Sequence, residues 1–354
     1  MQRHSKKVKL VQKQINKFRK ADKKAGVDHG SSNSTRSNKE KLDSINTKDL
    51  DEVIEVNENK EEVTAEPNVS MRELVSATID HGLIPSVVPE FPAITVGGAI
   101  QGGAGESGSF SHGLFHETTK EIEIITGDGA RMSASRQKNQ DLFFGSACSY
   151  GSLGILTQAK IKLIPAKQFV HLTYHHVDGF AHAIEKSKRL SKKNPDFVDG
   201  IMYEESGVIM EANLSNDKDL PQTTFQNKED EWFYLHVKNN ALNNDGYEEL
   251  VPIQDYFFRY DRGAFWTGKH VFDLLHLPFR KSLRSILDRG FRTENMYELL
   301  HVTDLSQKYI IQDICLPEES AVEFMQYIQK KHNISPQWVL PIEPDTDANP
   351  TVLY

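Results

Sequence analysis

Apolar residues at Val8, Val11, Ile15 and Phe18 are spaced three, four and three apart within a strongly basic stretch, residues 5–24. That spacing predicts a helix with one narrow apolar stripe. A stripe flanked by lysine and arginine suits an anionic membrane surface; it equally suits docking on a sheet. Beyond a polar, turn-rich segment at 26–48, Asp49–Val56 and Val63–Glu66 read as two strands folded back at Asn57-Glu58-Asn59. Ser70, with Glu73 three residues on, has the capping-box pattern of a helix start, and Gly82 suits that helix's C-terminal cap. Pro85 and Pro89 carry the backbone onward in extended form. Glu121–Thr126, the turn Gly127-Asp128-Gly129 and a return strand read as a hairpin, and a further strand spans Ala159–Ile164.

From about Gln168 the character changes. Strands are expected at Phe169–Tyr174, Phe197–Tyr203 and Val208–Asn213, with a basic amphipathic helix at Ala181–Lys192. A polar insertion, Ser215–Asp230, precedes an aromatic-rich stretch, Trp232–Trp266. A helix at His270–Leu287, a strand at Tyr309–Ile314 and a helix at Ala321–Lys331 complete an α+β pattern.

One stretch fits neither period. Thr95 to Ser109 holds six glycines and two serines, with Glu106 its one charged side chain. It reads as a loop whose bare main chain lets another group approach closely. Its N–H groups would then form a nest for an anion. The stretch has neither the Gly-x-x-x-x-Gly-Lys-Ser/Thr of a P-loop nor the Gly-x-Gly-x-x-Gly of a dinucleotide-binding βαβ unit. His112-Gly113-Leu114-Phe115 follows it, and Gly151-Ser152-Leu153-Gly154 forms a second small-residue loop feeding a strand.

Thr95-Val96-Gly97-Gly98, Glu106-Ser107, Gly113-Leu114-Phe115, Gly151-Ser152-Leu153-Gly154 and Ile164-Pro165-Ala166-Lys167 carry a resemblance. The protein resembles the p-cresol methylhydroxylase-type (PCMH-type) FAD-binding family that includes vanillyl-alcohol oxidase. Within it, the likeness is to the Δ24-sterol reductases, the seladin/Diminuto group. Val63–Met71, His29–Arg36, Tyr256–Trp266 and Ile311–Pro317 extend the likeness over most of the sequence. There are departures: His112 stands where the family usually has Tyr, Cys148 where it tends to have Trp, and the first loop is polar.

The resemblance implies an α+β architecture. A two-subdomain PCMH-type FAD-binding domain at 1–167 would hold a first pyrophosphate loop at 28–36 and a second at 95–109, with an α+β substrate or cap domain at 168–354. It places a helix of the FAD domain where residues 5–24 lie, which favours docking for that segment. It implies FAD held non-covalently, NADPH as electron donor, and a sterol or other small hydrophobic substrate with a side-group alkene that receives a hydride from the flavin. It also implies association with a membrane, that of the endoplasmic reticulum. The family's N-terminal anchor has no counterpart here, so an anchorless cytoplasmic homologue or an incomplete N-terminus is expected.

Candidate FAD contacts follow residue by residue. The first loop offers Gly30, Ser31, Ser32, Asn33 and Ser34, and the second Val96, Gly97, Gly98, Gly102 and Gly103. Ser107, Ser109 and Gly113 would continue toward the ribityl group, with Gly151, Ser152, Gly154 and Ile155 along the adenosine and ribityl side. His112 is a candidate for covalent flavin attachment, set against a packing role. Reduction of an isolated alkene needs a proton donor as well as a hydride. By residue type, Tyr256, His301 and His176 are candidates, and Arg259 and Arg262 would bind phosphate or stabilise the reduced flavin's charge.

Composition narrows the alternatives. At 354 residues the protein has room for two domains, and its net charge of −8 argues against nucleic-acid binding. Cys148 and Cys315 are too few for a disulfide framework, no Cys-x-x-Cys pair occurs, and no metal is expected. No run of eighteen apolar residues predicts a transmembrane helix. Two further readings stay open: a flavin oxidase or dehydrogenase of the same fold acting on another small substrate, and a flavin-binding partner of membrane enzymes without turnover.

Overall fold

A computed structural model describes residues 2–31, 43–303 and 313–343. The basic N-terminal segment is helix α1 (Gln2–Lys20), whose stripe of Val8, Val11 and Ile15 is buried against Ile45, Leu50 and Ile125. The helix is therefore docked on the body of the protein. Strands β1 (Gly26–Asp28) and β2 (Ser44–Asn46) pair in parallel beside it.

Strands β3 (Val53–Asn57) and β4 (Glu62–Ala65) form the expected hairpin. Helix α2 (Met71–Ile79) starts at the capping box: Ser70 Oγ accepts from the Glu73 N–H, and the Glu73 carboxylate accepts from the Ser70 N–H at 2.9 Å. Strand β5 (Leu83–Pro85), helices α3 (Val96–Gly102) and α4 (Ser109–His112), and the hairpin β6 (Thr119–Thr126) and β7 (Arg131–Ser135) follow. Helix α5 (Gln140–Ser146) and strand β8 (Gly154–Pro165) complete the first half. Its antiparallel sheet runs β3-β4-β8-β6-β7, with β5 added along β8.

The second sheet is also antiparallel. Its members are β9 (Phe169–Asp178), β10 (Phe197–Tyr203), β11 (Ser206–Ser215), β12 (Tyr247–Pro252) and β13 (Gln337–Val339), in the order β12-β9-β11-β10-β13. Helix α6 (Phe180–Ser191) covers one face, with α12 (Glu318–His332) against it. Strand β10 is buried on both faces. Phe197, Ile201 and Tyr203 enter the main core, while Val198 and Met202 pack in a second cluster with Phe180, Leu190 and Met325. The period-two alternation of a strand sends neighbours to opposite sides. Asp199 shares the parity of Phe197 and so turns toward the main core, where it is 1 % exposed. Short helices α7 (Phe233–Asn240), α8 (Ile253–Phe257), α9 (Thr267–Leu274), α10 (Lys281–Ile286) and α11 (Thr293–Val302) enclose the aromatic stretch.

Two expectations need correction, and a third falls mostly outside the described residues. The glycine stretch is no open loop: Thr95 caps a two-turn helix, α3, its Oγ1 accepting from the Gly98 N–H at 3.2 Å. Burial of Val96, Ala99 and Ile100 on one side outweighs the helix cost of the glycines. Gly103, at φ +71°, ends it in the left-handed conformation. The expected single helix at His270–Leu287 is two, α9 and α10, separated around Pro278, which lacks the N–H that would continue the first. Most of the expected strand at Tyr309–Ile314 lies outside the described residues, and Asp313 and Ile314 are in no strand.

Candidate functional site

A cavity of about 3220 Å³ opens between the two sheets. Helix α3 and Gly103–Gly105 form one wall, with Cys148, Tyr150–Ser152, Gly154 and Ile155 beside them. The opposite wall comes from Ala264–Thr267, helices α9, α11 and α12, and strand β13. Pockets for drug-sized ligands run about 300–1,000 Å³, so this one has room for a dinucleotide and a second, apolar molecule together.

The α3 wall has a distinctive surface. Gly98 and Gly102 lie one turn apart and both line the cavity. A Cβ on Gly102 would meet nothing within 4 Å, and one on Gly98 would meet only Thr95 Oγ1, at 3.1 Å. Packing within the protein therefore gives no reason for glycine there, whereas a ligand lying on bare backbone does. Gly97 differs, since its Cβ would come 2.8 Å from Pro67 Cβ. The expected nest of free donors at the start of α3 is not formed. The Val96 N–H donates to Val69 O at 2.9 Å, Gly97 to Pro67 O at 2.8 Å, Ala99 to Thr95 O at 2.8 Å, and Gly98 to the Thr95 hydroxyl. Shape, more than unpaired N–H groups, is what this wall supplies.

Gly97, Gly98, Gly102, Gly103, Gly151, Ser152, Gly154 and Ile155 share the cavity lining with His29 and Ser31 from the first loop. Gly30 adopts φ +74° behind them, and the Ser31 N–H donates to His29 Nδ1 at 3.1 Å. Burial holds the His29 imidazole below its ordinary pKa. Ser32, Asn33 and Ser34 lie outside the described residues. Val96, Ser107 and Ser109 are buried behind the wall, and Gly113 packs on Glu117. His112 is half-buried and off the lining, its pKa lowered by burial and by Lys162.

Beneath the cavity lies a charged cluster. Arg259 is fully buried, and its Nη2 donates to Glu106 Oε1 at 2.8 Å and to Asp199 Oδ2 at 2.9 Å. Its guanidinium stacks over the rings of Tyr256 at 4.2 Å and Tyr260 at 4.7 Å. Asp199 Oδ2 also accepts from Tyr260 OH and Trp338 Nε1, each at 2.9 Å. Tyr256 OH is 3.0 Å from Ser107 Oγ. Burial, ahead of the opposing pull of Arg259 and the push of Asp199, raises the Glu106 carboxyl. Tyr256 and Arg259 are thus brought together, behind the cavity wall. Arg262 pairs with Asp288 at 2.6 Å and donates to the carbonyls of Phe225, Lys228 and Asp230. His301 lies on α11 off the lining, and His176 is on β9, 3.0 Å from Asp178.

Sequence reasoning missed Asp199, Trp338 and Glu90. Glu90 lines the cavity beside Phe91. Its signal was available, because it is the one charged residue between Leu83 and Gly105. No group of three or more His, Cys, Asp or Glu able to hold a metal occurs among the described residues.

A family model for the FAD binding domain matches residues 9–135. The Delta(24)-sterol reductase of Mus musculus is 28% identical over 353 aligned residues, covering 96% of this chain and 67% of its own. That of Homo sapiens is 27% identical over the same shares. The Arabidopsis thaliana Delta(24)-sterol reductase is 28% identical over 82% of this chain and 54% of its own. The protein thus spans about two thirds of the mammalian relatives' length and about half of the plant relative's. It is a homologue of the Δ(24)-sterol reductases and carries an FAD-binding domain.

Proposed function

We propose that the protein is an FAD-dependent reductase that uses NADPH to reduce an alkene in the aliphatic tail of a sterol. The observation that carries this is the glycine-surfaced wall of α3 at Gly98 and Gly102, facing a cavity large enough for cofactor and substrate together. The first loop, with His29 and Ser31, and the wall of Gly97, Gly98, Gly102, Gly103, Gly151, Ser152, Gly154 and Ile155 would hold the FAD. Bound FAD supplies a carrier of hydride between NADPH and the alkene. The protein's own part is to bind, orient and exclude water. Phe91, Phe265, Trp266, Tyr297 and Trp338 offer an apolar, ring-rich lining suited to a sterol skeleton. The Arg259 cluster fixes the floor by tying Glu106 to Asp199.

In this reading residues 1–167 form the FAD-binding domain of PCMH type and 168–354 the substrate domain. Access to the cavity is from a membrane surface. Leu274, Leu275, Ile286 and Leu299 line the cavity and are half open to solvent or more, Ile286 at 78 %. An exposed apolar rim of this kind favours contact with lipid. Arg280, Lys281 and Arg289 flank it, which suits anionic headgroups. No helix among the described residues is long and apolar enough to cross a membrane.

The test begins with the visible spectrum of the purified protein before and after acid precipitation, followed by NADPH oxidation with a Δ24 sterol. Flavin released to the supernatant and alkene-dependent NADPH consumption are expected. Colour retained in the pellet would point to covalent flavin and an oxidase. A colourless protein that takes up no FAD would overturn the assignment.

A further inference from the structure

We propose that Glu90 is the acid that gives the substrate alkene its proton. This deepens the reductase reading and rests on it. Reduction of an isolated C=C bond breaks the π bond and forms two C–H bonds. One carbon takes the hydride that originates on NADPH; the other takes a proton from the Glu90 carboxyl. The carboxyl O–H bond breaks, a carboxylate remains, and it regains a proton from water once product leaves.

Position is the first argument. Glu90 sits at a bend in the segment between β5 and α3, six residues before the first residue of that helix, and it lines the cavity. Phe91 and Ile94 line the same wall, and Phe91 packs edge-on against Phe265 at 5.6 Å and against Tyr297 at 6.3 Å. Glu90, half-buried, thus belongs to a stretch of wall lined with rings, where an apolar substrate would lie. An acidic residue in such a place needs a reason, because burying an unpaired charge is costly.

Charge is the second argument. The cation that acts on Glu90 is Arg259, whose guanidinium is already held by Glu106 and Asp199. Burial, then the Asp313 carboxylate, and to a lesser degree Glu106, push the Glu90 pKa up to about 8; its own backbone N–H and Arg259 oppose them. A carboxyl so placed keeps its proton at neutral pH and gives it up readily, as an efficient general acid should. Tyr297, which also faces it, is pushed up to about 12 by burial and by Glu90 and Asp313, and holds its proton too tightly for the same work.

Two measurements on the FAD-loaded protein test this. The first is an infrared titration of wild type against E90Q, which requires no substrate. A protonated carboxyl band at pH 7, lost around pH 8 and absent in E90Q, is expected; a Glu90 already ionised at pH 7 overturns the proposal. The second separates the half-reactions. E90Q should retain its FAD and be bleached by NADPH at the wild-type rate, yet lose alkene-dependent reoxidation by about 100-fold or more. E90D should recover part of that loss. The wild-type step should slow as pH rises through about 8, a dependence that E90Q lacks. E90Q within a few-fold of wild type, in a protein that does reduce the alkene, sinks this proposal alone. A wild type that reduces no alkene sinks the reductase reading and this proposal with it.

Discussion

Arg259 bridges Glu106 and Asp199, 2.8 Å from one and 2.9 Å from the other, so a single guanidinium joins the end of the glycine segment to strand β10. Removing it leaves two carboxyl groups buried without a cation. Breaking a buried pair in this way costs about 3–5 kcal/mol. Arg259→Met should lower the unfolding free energy by that amount in urea titrations. Adding E106Q and D199N to it should recover a large part of the loss. Equal stability of Arg259→Met and wild type would show that the cluster holds nothing together.

The neighbouring glycines of α3 should respond in opposite senses. Gly97→Ala drives a Cβ to within 2.8 Å of Pro67 Cβ and should cost about 1–3 kcal/mol. Gly102→Ala meets nothing and should raise stability by up to about 1 kcal/mol through helix propensity. FAD content per protein molecule, read from absorbance, should nonetheless fall in Gly102→Val and Gly98→Val. Full FAD occupancy in both valine variants would remove α3 from the cofactor site.

The anchoring of α1 should depend on pH. His4 Nδ1 lies 2.7 Å from Glu66 and Nε2 lies 3.4 Å from Glu123, and these carboxylates, Glu123 first, raise the His4 pKa to about 9. The folded value lies above the unfolded one, about 6.5. The stabilisation is therefore complete below about pH 6.5 and is lost as pH rises through about 9. His4→Gln should be less stable than wild type by about 2–3 kcal/mol at pH 6, with the gap closing by pH 10. Denaturant midpoints of both proteins across that range check it. A gap that stays constant with pH would mean that His4 is uncharged in the fold.

A charge placed on the apolar rim should act on membranes and leave the fold alone. Ile286 is 78 % exposed and Leu275 58 %. The double variant Leu275→Glu and Ile286→Glu should melt within a few degrees of wild type. Its co-sedimentation with vesicles containing anionic lipid should drop about 10-fold. Unchanged vesicle binding would exclude this rim as the contact.

Much of the architecture was legible where local chemistry decides it. The α1 stripe, the β3–β4 and β6–β7 hairpins and the Ser70–Glu73 cap rest on residues adjacent in sequence, and each stands as read. Strand β10 was read at its observed limits because five of its seven residues are large and apolar and stand at both ends of it. The glycine segment misled, because burial of Val96, Ala99 and Ile100 against residues far away in sequence overrides the propensity of glycine. The cavity lining at Gly97, Gly98, Gly102, Gly103, Gly151, Ser152 and Gly154 was visible in the density of small residues. Asp199 and Trp338 were not, since their meeting spans 139 positions and neither has a local pattern.

Strand β13 has a consequence for the order in which the protein is made. Trp338 is the donor that reaches Asp199 from far along the sequence, and Leu340 and Pro341 close the same cavity whose glycine wall is synthesised some 240 residues earlier. On the ribosome the wall emerges long before its lid. A nascent polypeptide therefore presents a half-built, open trough throughout that interval, and the cavity is complete only once β13 pairs with β10.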